Sequence, residues 1–427
     1  LSILSGPGKI KTGDERSWSR DCLIIMIKVR VGDIKITDEE KAAIMEVLES
    51  GRLSEGGKVH EFESLWARYT DNKYCVAVNS GTSALLAGLY ALVYDPRFKK
   101  VKRGSKVITS PVTYVATSNA IVLAGMEPVY VDIDPRTFTL NVGQIEDLLK
   151  KSDPEEYSII LPVHLMGYPN DMDSINDLAH QFNLVVFEDA AQAHGSLYKG
   201  KKAGSLSLLA DYSFYIAHNI QVGEMGAVVT SDEKLRSMIK KIKANGRICP
   251  CNKCDRTEGK CPYKEMDFDP RFVHEYIGFN FKTTEFQAAL AIPQIKKADS
   301  IMQTRQKNVL YLNERLQLLS DALQLPTYST DVSYLAYPIV VTDPRINREQ
   351  LMAKLEQQGV ETRPLFGCIP NQQPAFSFLK PKYERILPTA DFVGKNGFYV
   401  GCHQYLSQDN LDFIVETVHS VVHTFKK

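Results

Sequence analysis

The sequence predicts an α/β protein built on a mainly parallel, doubly wound sheet, with a smaller α+β domain at the C-terminal end. Three observations carry this. Apolar segments such as Tyr74-Cys75-Val76-Ala77-Val78 are continuous rather than alternating, as in strands buried on both faces. Between Tyr74 and Asp189 such strands alternate with helical patterns, the mark of βαβ units. The length of 427 residues is enough for two domains.

Taken in order, Thr37-Asp38-Glu39-Glu40 reads as a capping box. The helix it opens places Ile44, Val47 and Leu48 on one face and stops at Gly51. A second amphipathic helix carries Phe62, Leu65, Trp66 and Tyr69. Strand Tyr74–Val78 runs into Asn79-Ser80-Gly81-Thr82-Ser83 and an apolar helix from Ala84 to Leu92. Strands follow at 106–109, 128–133, 158–163 and 184–187, separated by helices at 117–124, 142–149 and 171–182. Tyr212–Gly226 is a short strand, a polar turn bearing His218, and a Gly-x-x-Gly turn into a further strand, 227–230. A charged helix (233–243), a cysteine-rich segment and one long helical stretch from Thr284 past Leu319 come next. Strands at 335–341 and 397–400 and helices at 347–358 and 408–425 complete the pattern. The expected division is a non-native or disordered extension over 1–25, a large domain over 26–300 with a cysteine-rich insertion at 246–265, and a small domain over 301–427.

Lysine plus arginine equals aspartate plus glutamate, 51 each, so charge favours neither nucleic acid nor an anionic membrane as a partner. No apolar run approaches the ~18 residues of a bilayer span. Cytoplasmic placement is the expectation. Of the eight cysteines, Cys249, Cys251, Cys254 and Cys261 cluster, which in a cytosolic enzyme argues for metal rather than disulfides.

Ser80-Gly81-Thr82-Ser83 ends a strand, turns on glycine, and opens a helix whose free N–H groups and dipole favour a phosphate; taken alone, the motif is more often a plain helix N-cap. Asp189 ends a buried strand, where ligands of α/β sheets gather and where a carboxylate can hold a ring nitrogen protonated. Tyr114 offers an aromatic face at another strand end. Alone, His218 is an ordinary loop histidine.

The order of these motifs, with Glu188-Asp189-Ala190-Ala191-Gln192-Ala193-His194-Gly195, Gly223-Glu224-Met225-Gly226 and Ile277-Gly278-Phe279-Asn280-Phe281, resembles the DegT/DnrJ/EryC/StrS sugar aminotransferases, fold-type I pyridoxal-phosphate proteins, over residues 30–425. The resemblance implies that Gly81, Thr82 and Ser213 bind the cofactor phosphate, Tyr114 stacks on the ring, Asp189 pairs with the ring nitrogen, and Gln192 lies near the ring hydroxyl. It also implies a homodimer, with Asn280 reaching the phosphate from the other subunit.

One departure stands out. The family's Schiff-base lysine is replaced here by His218, followed by Asn219. In this the chain resembles the 3-dehydratase branch of the family. That implies pyridoxal or pyridoxamine phosphate as cofactor, His218 as base with Asp189 stabilising the ring charge, and loss of the C3 hydroxyl from a nucleotide-linked 4-keto-6-deoxy sugar. Gly246-Arg247-Ile248-Cys249-Pro250-Cys251 is similar to the cysteine segment of an iron–sulfur member of that branch. The expectation is a four-cysteine centre at Cys249, Cys251, Cys254 and Cys261, iron–sulfur or zinc, with an electron-transfer reductase as partner if it is iron–sulfur. A nucleotide-sugar aminotransferase and a non-catalytic pathway scaffold are the alternatives.

Overall fold

The computed structural model describes residues 27–249, 251, 259 and 261–426. The predicted extension over 1–25 and Cys254 lie outside the described residues. Helix α1 (Asp38–Ser50) begins as expected: Thr37 N–H donates to Glu40 Oε2 at 2.7 Å, and Gly51 ends the helix at φ 65°, a left-handed conformation that glycine takes without strain. Helix α2 (Gly57–Tyr69) buries Phe62 and Trp66 against the main sheet.

That sheet has seven strands: β1 (Tyr74–Val78), β2 (Lys106–Thr109), β3 (Glu127–Tyr130), β4 (Tyr157–Leu161), β5 (Val185–Asp189), β8 (Leu209–Ser213) and β9 (Gly226–Thr230). The short hairpin β6 (Leu197–Tyr198) and β7 (Lys201–Lys202) sits apart. The order across the sheet is β1-β9-β8-β5-β4-β2-β3. All strands from β8 to β3 pair parallel, and β9 alone runs against both its neighbours. The connecting helices are α3 (Gly81–Tyr94), α4 (Ala116–Leu123), α5 (Val142–Lys151), α6 (Met172–Phe182) and α7 (Glu233–Ile242). Each strand is almost wholly buried, as continuous apolar runs require.

The long helical stretch predicted from Thr284 is two helices, α8 (Glu285–Lys296) and α9 (Ala298–Leu316). They break at Lys297, whose φ −106° and ψ 6° leave the helical region. No glycine marks the break, so the helical pattern runs through it in sequence. A second sheet, β10 (Leu323–Gln324), β11 (Tyr337–Val341), β12 (Arg363–Pro364) and β13 (Gly397–Val400), is antiparallel in the order β10-β11-β13-β12. Helix α10 (Arg348–Gln357) and the final helix Gln408–Lys426 cover it. One hydrophobic cluster runs from Val76 and Leu89 of the large sheet to Ile339, Phe398 and Ile414 of the small one. The cleft between the sheets is therefore walled by a continuous core.

Candidate active site

The parallel strands β5 and β8 end side by side, and their register sets Asp189 opposite Asp211. Beside them α3 begins, its N-cap Ser80 accepting the Ser83 N–H at 3.1 Å. Gly81 packs so closely on β8 that a Cβ there would lie 2.7 Å from Ser213 Cβ. Glycine at 81 thus lets the helix start abut the Ser213 hydroxyl, leaving a cradle of backbone N–H groups and hydroxyls.

A cavity of about 710 Å³ opens over these strand ends. Seven of the residues expected from the sequence line it: Gly81, Thr82, Tyr114, Asp189, Gln192, Ser213 and His218. Asn280 does not; it is exposed on the segment after α7, its backbone paired with Ala244. Tyr114 is 59% exposed at the mouth, edge-on to Phe366. Gln192 is buried, with its amide oxygen accepting the Met166 N–H at 2.9 Å.

Asp189 is buried and held by two donors, the Thr117 hydroxyl at 2.7 Å and the Ala191 N–H at 3.3 Å. Burial pushes its carboxyl above the ordinary aspartate value, and the Thr117 hydrogen bond partly counters this. Asp211 has no such help. It is fully buried, neither carboxyl oxygen has a hydrogen-bond partner, and burial first and Asp189 second drive its pKa well above the usual range.

The turn bearing His218 is pinned from both sides. Phe214 N–H donates to Met225 O at 2.8 Å and Ile216 N–H to Gly223 O at 3.1 Å, with Gly223 at φ 93° supplying the left-handed corner. Inside the turn, His218 N–H donates to Tyr215 O at 2.9 Å, and Asn219 Nδ2 donates to Ser333 O at 3.1 Å. The His218 ring stacks on His194 at 5.8 Å, and its Nδ1 is enclosed without a partner. Burial and, behind it, the positive charge of Arg305 push its pKa down to about 3. The imidazole is therefore neutral at physiological pH. Arg305 is itself buried, its guanidinium donating to the Tyr334 and Leu335 carbonyls and to Gln404.

Sequence reasoning missed Asp211, Thr117 and Arg305, and from the second sheet Arg363 and Tyr399, which line the cavity opposite β5. Asp211 left one signal, a carboxylate inside the apolar run Leu208–Tyr212. Arg305 left none, since a basic residue on a long helix is ordinary.

The predicted cysteine centre is not assembled among the described residues. Cys249 is buried, Cys251 exposed and Cys261 half-buried, and among the described residues no three His, Cys, Asp or Glu side chains converge as a metal set. Adjacency in sequence did not bring these three thiols together.

The cavity fits a phosphorylated pyridine cofactor: a glycine–hydroxyl cradle at a helix N-terminus, a buried carboxylate for a ring nitrogen and an aromatic face at the mouth. Comparison with known proteins agrees. The model of the DegT/DnrJ/EryC1/StrS aminotransferase family matches residues 34–419, and the chain belongs to that family. It is 30% identical over 403 residues to the dTDP-4-dehydro-2,6-dideoxy-D-glucose 3-dehydratase of Saccharopolyspora spinosa, covering 91% of this chain and 86% of that protein. It is 29% identical over 403 residues to the GDP-perosamine synthase of Caulobacter vibrioides, covering 92% and 98%. Among solved structures it resembles the E. coli GDP-4-keto-6-deoxy-D-mannose-3-dehydratase with bound hydrated PLP, at TM-score 0.80 and 25% identity over 92% of this chain and 100% of that one. The fold is that of the fold-type I pyridoxal-phosphate proteins.

Proposed function

We propose that this member of the DegT/DnrJ/EryC1/StrS family is a pyridoxamine-phosphate-dependent dehydratase that removes the C3 hydroxyl of a nucleotide-linked 4-keto-6-deoxy sugar. One observation carries the reading: His218 occupies the turn after Ser213 where the family's lysine belongs, and among the described residues around the cavity there is no lysine at all. With no lysine among the described residues lining the cavity, the cofactor would not be held there as a Schiff base and would stay available as its free amine.

When bound, that cofactor would supply an amine for the sugar ketone and a ring that accepts electrons. Gly81, Thr82 and Ser213 would hold its phosphate. Asp189, kept in place by Thr117, would keep the ring nitrogen protonated. Tyr114 would cover the ring, and Gln192, fixed through Met166 N–H, would face the ring hydroxyl. His218 would take the proton from the cofactor's C4′ carbon. Its lone pair is free at neutral pH because burial and Arg305 disfavour the imidazolium. Arg363 and Tyr399, which also line the cavity, would meet the nucleotide or sugar.

We further propose a homodimer in which Asn280 of the partner subunit completes the phosphate site. The exposure of Asn280 away from its own cavity, with Phe272 77% and Ile277 80% exposed nearby in sequence, supports this. The iron–sulfur or zinc centre expected at the cysteine segment, and the reductase that would serve it, stand apart from this proposal; among the described residues the thiols do not form a ligand set. Iron, sulfide and zinc analysis of anaerobically purified protein tests that centre and, with it, the reductase.

The similarity to GDP-perosamine synthase favours a second reading, a nucleotide-sugar aminotransferase. The H218N variant separates the two. Under the dehydratase reading its turnover falls by roughly 10²–10⁴, the usual contribution of a general base, while affinity for pyridoxal phosphate is kept. Unchanged turnover would remove His218 as the base. Borohydride trapping of the cofactor onto the wild-type protein would require a lysine in reach and would favour transamination. Failure of the wild type to bind the cofactor at all would favour a non-catalytic scaffold.

A further inference from the structure

Eight carboxylate side chains are buried among the described residues: Glu40, Asp95, Asp132, Glu188, Asp189, Asp211, Glu285 and Asp343. Seven of them accept hydrogen bonds from N–H or O–H donors, Glu285 for instance from Gly56, Lys58 and Val59 N–H, and Asp132 from Thr389 and Ala390 N–H. Asp211 accepts none at either oxygen. An ionised carboxylate in that position would be buried with neither donor nor counter-ion, which costs far more than keeping its proton.

The placement of Asp211 is as unusual as its isolation. It lies in register with Asp189 on the neighbouring parallel strand, so both side chains project from one face of the sheet, from strands about 4.8 Å apart. Two residues further on, the same face carries Ser213, at the cradle. Both carboxyls line the cavity. Two carboxyls this close and this buried cannot both ionise. Asp189 has the donors that favour an anion, the Thr117 hydroxyl and the Ala191 N–H; Asp211 has no hydrogen-bond partner at either oxygen, and only its own backbone, weaker than burial and Asp189, favours its anion.

We propose that Asp189 and Asp211 form one carboxyl pair on the cavity floor, carrying a single negative charge and a single proton, with Asp189 the anion and Asp211 the neutral acid behind it. The pair rests on the cofactor reading only for its purpose. Asp211 is then a positioning residue for charge: it keeps the floor of the site at one negative charge, enough for one protonated ring nitrogen. It is also the group able to take over that charge if Asp189 loses it. No atom is transferred to the substrate in this role; the proton stays within the pair or exchanges with solvent.

The test has two arms. The first uses ligand-free protein. At neutral pH the wild type should show an infrared C=O band of a protonated carboxylic acid that is missing in D211N. Absence of the band from the wild type overturns the proposal, and this holds even if D211N does not fold. The second arm measures the dissociation constant of pyridoxal phosphate for four proteins. D211N should weaken binding by no more than about threefold, since one neutral group replaces another. D189N should weaken it strongly, and D189N/D211N by roughly a further tenfold, because only in the single variant is Asp211 free to ionise. If the double variant binds no worse than D189N, or if D211N alone loses as much as D189N, the single-charge pair is wrong. If no protein in the series binds pyridoxal phosphate, the cofactor reading fails, while the infrared band still decides the pair.

Discussion

Glu188 and Asp189 are neighbours on β5 that project from opposite faces of the sheet, and the two faces treat a carboxylate in opposite ways. On one face Glu188 accepts from Gly204 N–H at 2.7 Å, Leu206 N–H at 2.9 Å and the Ser207 hydroxyl at 2.8 Å, and it meets His164 Nε2 at 3.0 Å. His164 in turn accepts the Asn170 N–H at its other nitrogen, so that imidazole is partnered on both sides. On the other face Asp189 has two donors, Asp211 has none, and His218 is unpartnered at Nδ1. A carboxylate and an imidazole occur on each side. The saturated set is structure, because every group has spent its hydrogen-bonding capacity on the protein. The unsaturated set lines the cavity and is the candidate site, because its capacity is left for a ligand.

The largest expected effect breaks the saturated face. Glu188→Ala strips an acceptor from two backbone N–H groups, a hydroxyl and an imidazole at once, and should lower stability by about 3–5 kcal/mol, the range for removing one partner of a buried charged network. Asp189→Ala, one residue away, should cost less than about 1 kcal/mol, because it removes a carboxylate that burial already disfavours. Urea unfolding of the two ligand-free variants reads the difference directly. Equal losses would mean that saturation does not separate structure from function here.

A smaller effect is the acid sensitivity of the unsaturated face. His218 has a folded pKa of about 3, below its unfolded value, so the unfolded chain binds more protons between the two. Its contribution to stability is present at neutral pH and is lost as pH falls from about 6.5 toward 3, by at most about 1.4 kcal/mol per pH unit. His194 and His403 are shifted in the same direction by burial and act in the same window, so the wild type should lose stability steeply there. H218N removes only the share of His218. The gap between the two stability curves should open below pH 6.5 and be flat above it; a gap that is the same at pH 7 and pH 4.5 would place the His218 pKa near its ordinary value.

These contrasts also explain what is legible in the sequence. Gly81 and Asp189 are readable as candidates because local position points to them: a helix start after a strand, and a buried strand end. His218 is readable only against a family pattern, since nothing local distinguishes it from a loop histidine. Asp211 leaves only the signal of a carboxylate in an apolar run, and its partner is not readable, because that lies in a register with β5 that no stretch of β8 encodes. Arg305 reaches the site across the α9 helix, and its effect on His218 depends on burial that sequence spacing does not reveal. The helical break at Lys297 carries no glycine; the one breaker in the stretch, Pro293, sits four residues earlier, inside α8. The cysteines are a different case: four thiols close in sequence suggest a centre, the three described do not form one by themselves, and the fourth, Cys254, lies outside the described residues.

The smallest expected effect sharpens the boundary between the two faces, at Thr117. Its hydroxyl is buried, exchanges a hydrogen bond with Thr113 at 3.0 Å and donates to Asp189 at 2.7 Å, so it belongs structurally to α4 and chemically to the cavity. Thr117→Val keeps the shape and deletes the donor. Loss of one hydrogen bond to a charged group is worth about 1.5–3 kcal/mol when the group must remain charged. In the ligand-free protein it need not: Asp189 can take up a proton instead, which its burial already favours. Stability should therefore fall by only about 1 kcal/mol at neutral pH. Under the proposed role of Asp189, a bound pyridinium would remove that escape, because it would need Asp189 as an anion. Affinity for pyridoxal phosphate should then fall by roughly tenfold, more than the stability loss alone would suggest. A stability loss as large as the affinity loss would assign Thr117 to the saturated side of the sheet, and the division between the two faces would have to be drawn on the cavity side of α4.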